Sequence, residues 1–126
     1  MEQVLSCYAD DLIYWCNAGS REGTPMVIEG KSEFRTFLYT INAVVQGTSV
    51  AEYFQFEDGV ARASIACHIR HRRTGLIMTG SYRQVATFRG RKIARMDEFH
   101  DAAKFAAFWR LVTSEETAQM AAEELN

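Results

Sequence analysis

Between residues 49 and 100 the chain alternates in a way that leaves few folds open. The stretches "SVAEYFQF", "VARASIACHIRHR" and "LIMTGSYRQVATF" are rich in β-branched and aromatic residues. They stop at the compact turns "EDG", "RTG" and "RGR", and "KIARMDEFH" follows the last turn. Turns this short join antiparallel neighbours, because a parallel pair needs a long crossover. Four consecutive antiparallel strands are therefore expected.

The flanking segments are read by the same rules. "MEQVLSCY" places Val4, Leu5 and Tyr8 at helical spacing, "DDLIYWCN" reads as a strand, and "AGSREGTPMVIEG" reads as a loop. "KSEFRTFLYTINAVVQ" is an amphipathic helix with Phe34, Phe37, Leu38, Ile41 and Val45 on one stripe, ended by Gly47. "DAAKFAAFWRLV" is a helix burying Phe105, Phe108, Trp109 and Val112. A further helical extension, about 113–126, has Thr113 or Ser114 as its cap. Helices set against one antiparallel sheet make an α+β domain, here a single domain over 1–126. A long helix across a curved sheet leaves a cone with an open end, a shape that holds pockets.

With 126 residues, 48% of them hydrophobic, the chain can bury a core without covalent staples. The three cysteines, Cys7, Cys16 and Cys67, form no C-x-x-C and suit reduced thiols in a cytoplasm. The opening "MEQVLSCYADD" has no basic-then-apolar leader, and no apolar run is long enough to span a bilayer. Charge is uneven: residues 59–96 contain no acid but carry nine of the 14 Lys and Arg residues. Such a block suits an anionic partner, or a basic sheet face that meets a second subunit. Few aromatics accompany the arginines, so nucleic acid is not the expected partner.

"YADDLIYW", "IEGKSEF" and the "EDG…TG…RGRKIARMDEFHD" meander together resemble the nuclear-transport-factor-2-like (NTF2-like) superfamily, over roughly residues 4–112. Nearest in pattern are its SnoaL-like polyketide cyclases and limonene epoxide hydrolase. The resemblance implies a cone-shaped α+β fold, with a strongly curved sheet wrapped around helices and an internal pocket. It implies a small apolar ligand of polyketide, terpenoid or steroid type, no cofactor, and a homodimer through the convex sheet face. The family's first helix is usually longer than the two turns before Asp10. The C-terminal segment is expected to cover that gap, from its own subunit or a neighbour.

The period of two separates the faces. In strand 60–72 the apolar set is Ala61, Ala63, Ile65, Cys67 and Ile69, which must be concave. In strand 76–88 the inward set is Met78, Gly80, Tyr82, Gln84 and Ala86. Arg95 belongs outside with the other arginines, which sends Met96, Glu98 and His100 inward. Asp97 is then expected to pair with convex arginines, and Asp101 to cap the next helix.

The candidate catalytic residues are Glu98 as base, His100 as acid or orienter, and Tyr14 as a hydrogen-bond donor. Against them stands the reading of a buried Glu–His pair that only completes the core. Cys16, Cys67, Tyr82, Met96 and Trp109 are the candidate substrate-binding residues, and no metal site is expected. The resemblance places Glu98 on the pocket aspartate of the epoxide hydrolase pattern. That family's essential arginine and aspartate fall on about Ile65 and Cys67, which argues against epoxide opening. The leading expectation is proton-transfer chemistry (isomerisation, cyclisation, dehydration or hydrolysis) on an apolar oxygenated molecule. The alternative is a non-catalytic binding or assembly module.

Overall fold

The protein is described by a computed structural model covering residues 1–19 and 23–125. The order is α1 (Glu2–Leu5), β1 (Tyr8–Cys16), β2 (Met26–Glu29), α2 (Lys31–Val44), β3 (Val45–Glu57), β4 (Val60–His71), β5 (Ile77–Arg89), β6 (Lys92–Phe99) and α3 (Ala102–Glu124). One curved, unclosed sheet has the order β2-β1-β6-β5-β4-β3. The meander β3–β6 is antiparallel throughout, as the short turns require. Asp58 and Gly59 both take positive φ, 52° and 74°, the left-handed pair that a two-residue hairpin turn demands.

Four local expectations need correction. Within "AGSREGTPMVIEG", Met26–Glu29 is a strand rather than loop, pairing antiparallel with β1 from Ile13 to Cys16; residues 20–22 of that stretch lie outside the described residues. The helix α2 stops at Val44, and Gly47 is not its cap but pairs with Ile69 inside β3. The N-terminal helix is a single turn, because Tyr8 already belongs to β1. The break expected at Thr113 or Ser114 does not occur. Their propensity cost is a few tenths of a kcal/mol each, and the Ala, Glu, Gln and Met residues that follow favour continuation, so α3 runs on as one helix.

The faces follow the sequence phase. Ala61, Ile65, Met78, Ala86 and Met96 are buried on the concave side, and Arg62, Arg70 and Arg83 are exposed on the other. Two clusters fill the concavity. Leu5, Leu12, Tyr14, Cys16 and Phe34 centre the first; Val45, Met78, Phe108 and Val112 form the second, beneath α3. Phe54 and Phe56 lie outside both clusters. They point to the concave side of the edge strand, beyond the helices, and stay 63% and 56% exposed.

His71 anchors α3. It is fully buried, with Nδ1 2.6 Å from Thr74 Oγ1 and Nε2 2.5 Å from Glu116 Oε1. Arg73 Nε stands 3.4 Å from the same Glu116 oxygen. A buried imidazole without partners would be costly, so this contact fixes where the helix crosses the end of β4.

The convex face mixes charge and apolar surface. Arg95 binds Asp97 at 3.0 Å, Trp15 meets Phe99 at 5.2 Å, and Arg83 lies over Phe99. Val50, Tyr53, Ile77 and Phe99 are exposed on this side. It therefore carries more aromatics than the sequence reading assigned to it. No helix among the described residues is long and apolar enough to cross a membrane.

Candidate functional site

The site is assembled by strand register. β1 runs parallel to β6, setting Tyr14 beside Met96 and Cys16 beside Glu98; β5 sets Gln84 on the other side of Glu98. Cys16, Glu98 and Gln84 thus form one row across three strands, all on the concave face. Residues side by side on one face of neighbouring strands are within reach of each other.

Glu98 is the hub. The Tyr14 hydroxyl donates a short hydrogen bond to Oε1, and Gln84 Nε2 donates to Oε2 at 2.6 Å. His100 Nε2 lies 3.4 Å from Oε1. The Glu98 and His100 side chains are only 12% and 11% exposed. Burial alone would raise the carboxyl pKa, but hydrogen bonds from His100, Tyr14 and Gln84 outweigh it. Glu98 is held below the usual carboxylate range. For His100 burial works downward, and contacts with Cys16 and Glu98 overcome it, lifting the imidazole to about 9. Burial and the Glu98 charge push the Tyr14 hydroxyl well above its ordinary value and Tyr82 to about 12. At neutral pH the hub is a carboxylate facing an imidazolium and two neutral phenols.

The orientation of His100 is set from several sides. Its ring stacks on Tyr82 at 4.3 Å and meets Phe105 at 4.5 Å. The Asn17 side chain pairs with its backbone as a peptide group would: Nδ2 donates to the His100 carbonyl at 3.0 Å, and Oδ1 accepts from its amide at 2.8 Å. Asp101 caps α3, accepting from the Lys104 amide at 3.2 Å.

The hub stands between two hollows. A larger inner cavity of about 140 Å³ is lined by Tyr14, Cys16, Gly19, Met26, Phe37, Ile41, Phe105 and Trp109. A cleft of about 20 Å³ on the other side of Phe105 is bordered by Cys67, Met78, Gly80, His100 and Lys104, among others. Glu98, His100 and Tyr14, the three candidate catalytic residues, therefore do not share either of these two hollows. Tyr14 lines the inner cavity, His100 borders the cleft, and Glu98 lines neither but is bonded to both. Of the candidate binding residues, Cys16 and Trp109 line the cavity and Cys67 the cleft. Tyr82 lies against His100, and Met96 is packed in the core.

Sequence reasoning missed two supports of the hub, Gln84 and Asn17. Gln84 left a signal, since it is a long polar side chain in the inward phase of an apolar strand. Asn17 left none, because an asparagine after a strand is ordinary. Cys16, Glu98 and His100 offer donor atoms within 4.8 Å of one another, the one such trio among the described residues. A cation held there would compete with the hydrogen bonds that Glu98 receives.

No family model matches this chain, and no curated protein matches it. Solved structures do. An NTF2-like protein of unknown function from Burkholderia pseudomallei superposes with a TM-score of 0.73 at 15% identity, over 82% of this chain and 80% of that one. TerC, co-crystallized with polyporic acid, gives 0.73 at 19% identity over 89% and 85%. A candidate SnoaL-like polyketide cyclase from Jannaschia sp. gives 0.66 at 11% identity over 79% and 71%. The fold is NTF2-like. Identities this low establish fold alone, because one fold hosts many chemistries.

Within this fold the hub makes a pH-dependent contribution to stability. The His100 pKa rises from 6.5 to about 9, so its share is complete below 6.5 and is lost as pH rises through 9. Glu98 is lowered from 4.5, so its share is present above 4.5 and is lost as pH falls through the folded value. The destabilisation caused by His100→Gln, measured by urea unfolding, is expected to be largest between pH 4.5 and 6.5 and to shrink above pH 9. A destabilisation unchanged from pH 6 to pH 10 would show that the imidazole does not titrate against Glu98.

Proposed function

We propose that this protein binds a small, apolar, oxygenated molecule in the inner cavity and transfers a proton on it. The observation that carries this reading is Tyr14, which lines an apolar cavity while its hydroxyl is bonded to a buried, ionised carboxylate. Such a pair suits enolisation. An arriving carbonyl oxygen takes the Tyr14 hydrogen bond away from Glu98 Oε1. The released oxygen loses one of the interactions that lower its pKa and becomes more basic as the ligand arrives. Glu98 lines neither hollow while Tyr14 is bonded to it, so the same movement of Tyr14 must open Oε1 to the cavity. Glu98 then accepts the proton from the carbon next to the carbonyl, and the C–H electron pair moves into the enolate. Tyr14 donates to the developing oxyanion. Return of the proton to the same or a vinylogous carbon gives exchange or isomerisation. His100 orients the carboxylate and keeps it ionised until the ligand enters. No cofactor takes part in these steps. Neighbours with this fold include a candidate polyketide cyclase and a protein crystallised with polyporic acid, which supports a small organic ligand.

The test needs no knowledge of the natural substrate. Exchange of the α-hydrogens of cyclohexanone in D₂O, followed by proton NMR, should be catalysed by the wild type. Glu98→Gln should slow it by about 100-fold or more, the usual range for loss of a general base. A wild-type rate equal to that of Glu98→Gln would contradict the reading. It would favour the second one, a binding module, which has its own supporting observation: both Glu98 oxygens already have partners.

The same proposal includes a homodimer through the convex face, in a reducing compartment such as the cytoplasm, where Cys7, Cys16 and Cys67 stay unpaired. Exposed Val50, Tyr53, Ile77 and Phe99 would form an apolar centre, with Arg62 and Arg83 at its edge. Asp97 is engaged by Arg95 of its own chain. Sedimentation of the wild type at tens of micromolar is expected to show a dimer, and Phe99→Asp a monomer. A monomeric wild type would remove this part of the proposal.

A further inference from the structure

The size and lining of the inner cavity narrow the ligand beyond what a SnoaL-like fold implies. A curved sheet with a helix across it could enclose a large pocket, but here most of the concavity is filled by aromatic side chains. Tyr8 packs on Phe34 at 5.1 Å, Tyr14 on Phe34 at 5.0 Å, and Tyr14 on Phe37 at 5.7 Å, closing the base of the cone. From α3, Phe105 and Phe108 pack on Trp109 at 6.2 and 5.4 Å and close the other side. About 140 Å³ remains between these two walls.

That volume sets a limit. A dry apolar cavity of about 150 Å³ holds one benzene molecule. A fused second ring would have to displace Phe37 on α2 or Trp109 on α3, or stand out of the open side without the burial that the first ring gains. Each of these side chains is half-buried and held by aromatic neighbours, Phe37 by Tyr14 and Phe34 and Trp109 by Phe105 and Phe108, so displacing it would break those contacts. The polar groups of the lining side chains are the Tyr14 hydroxyl, the Cys16 thiol and the Trp109 indole N–H, and Trp109 Nε1 has no hydrogen-bond partner of its own.

We propose that the inner cavity is a single-ring site. It accepts one six-membered carbocycle bearing a hydrogen-bonding oxygen, a monocyclic ketone or phenol, and excludes fused bicyclic and larger ligands. The oxygen is placed at Tyr14 and the ring lies between Phe37 and Trp109. The placement of the oxygen rests on the proton-transfer reading; the limit on ring number rests on the cavity alone. Ligands as large as fused polycyclic polyketides or steroids are outside this limit, unlike the ligand classes that the resemblance implied.

The test is binding, read without turnover. Wild-type protein is titrated with cyclohexanone, phenol, benzene and 1-naphthol, following the two indole N–H signals in ¹⁵N-correlated NMR spectra. Trp109 lines the cavity and Trp15 lies on the opposite face of the sheet, so the two report separately. Trp109→Phe assigns the signals. The single-ring probes should shift Trp109 and leave Trp15 unmoved, and 1-naphthol should bind at least tenfold more weakly than phenol. Phe37→Ala should reverse that preference by enlarging the cavity. Phe37→Leu, a milder truncation, should move it in the same direction if the alanine variant does not fold. Tyr14→Phe should weaken phenol and cyclohexanone about five- to tenfold and leave benzene unchanged, as loss of one hydrogen bond requires.

Equal binding of 1-naphthol and phenol by the wild type would overturn the single-ring limit. So would a shift of Trp15 in place of Trp109, or no binding of any probe. Selective single-ring binding without catalysed hydrogen exchange would leave this inference standing and remove the proton-transfer reading.

Discussion

A carboxylate at the buried end of a strand is expensive unless its charge is met, and the inner architecture of this protein is arranged around meeting one. Glu98 receives the Tyr14 hydroxyl from β1, the Gln84 amide from β5 and the His100 imidazolium from just beyond β6. Without these partners the group would be expected to take up a proton and lose its charge. The parallel pairing of β1 with β6 is therefore more than a way to complete a sheet. It brings Tyr14 to the carboxylate, and through Asn17 it also clamps the backbone of His100.

The hub constrains what the site can do. Its carboxylate is ionised but fully engaged, so it cannot act as a base until a ligand competes for one of its donors. Tyr14 is the donor within reach of a ligand, since it belongs to both the hub and the inner cavity. His100 faces the narrow cleft on the other side of Phe105. In the proposed function, chemistry is confined to ligands that offer Tyr14 an acceptor while filling a space of one ring. The surrounding aromatic packing closes the cone, and in the proposed single-ring site the same rings limit what can enter.

Much of this was legible before any coordinates. The period of two in β4, β5 and β6 placed Glu98 and His100 inward, because the arginines at 62, 83 and 95 had to share the opposite face. Asp101 was readable as a cap from its place between a strand and an apolar helix. The tight turns fixed the meander. What the sequence did not disclose depended on pairing between distant segments. β2 is four residues long and depends on β1 for its hydrogen bonds. Gly47 looks like a helix stop, yet it lies within a long ladder opposite Ile69. His71 had no local mark of burial, since its partner Glu116 lies 45 residues away. The division of the pocket into cavity and cleft also escaped the sequence, because it depends on where Phe105 and His100 meet.

The most direct test of this account is the ionisation of Glu98 itself. Carboxyl ¹³C shifts of glutamate-labelled protein, assigned with Glu98→Gln, report that group through a titration. The account predicts a carboxylate signal for Glu98 that persists below pH 4.5, and a midpoint that rises in Tyr14→Phe as one stabilising hydrogen bond is lost. A Glu98 signal that titrates above pH 4.5 in the wild type, with no response to Tyr14→Phe, would contradict it.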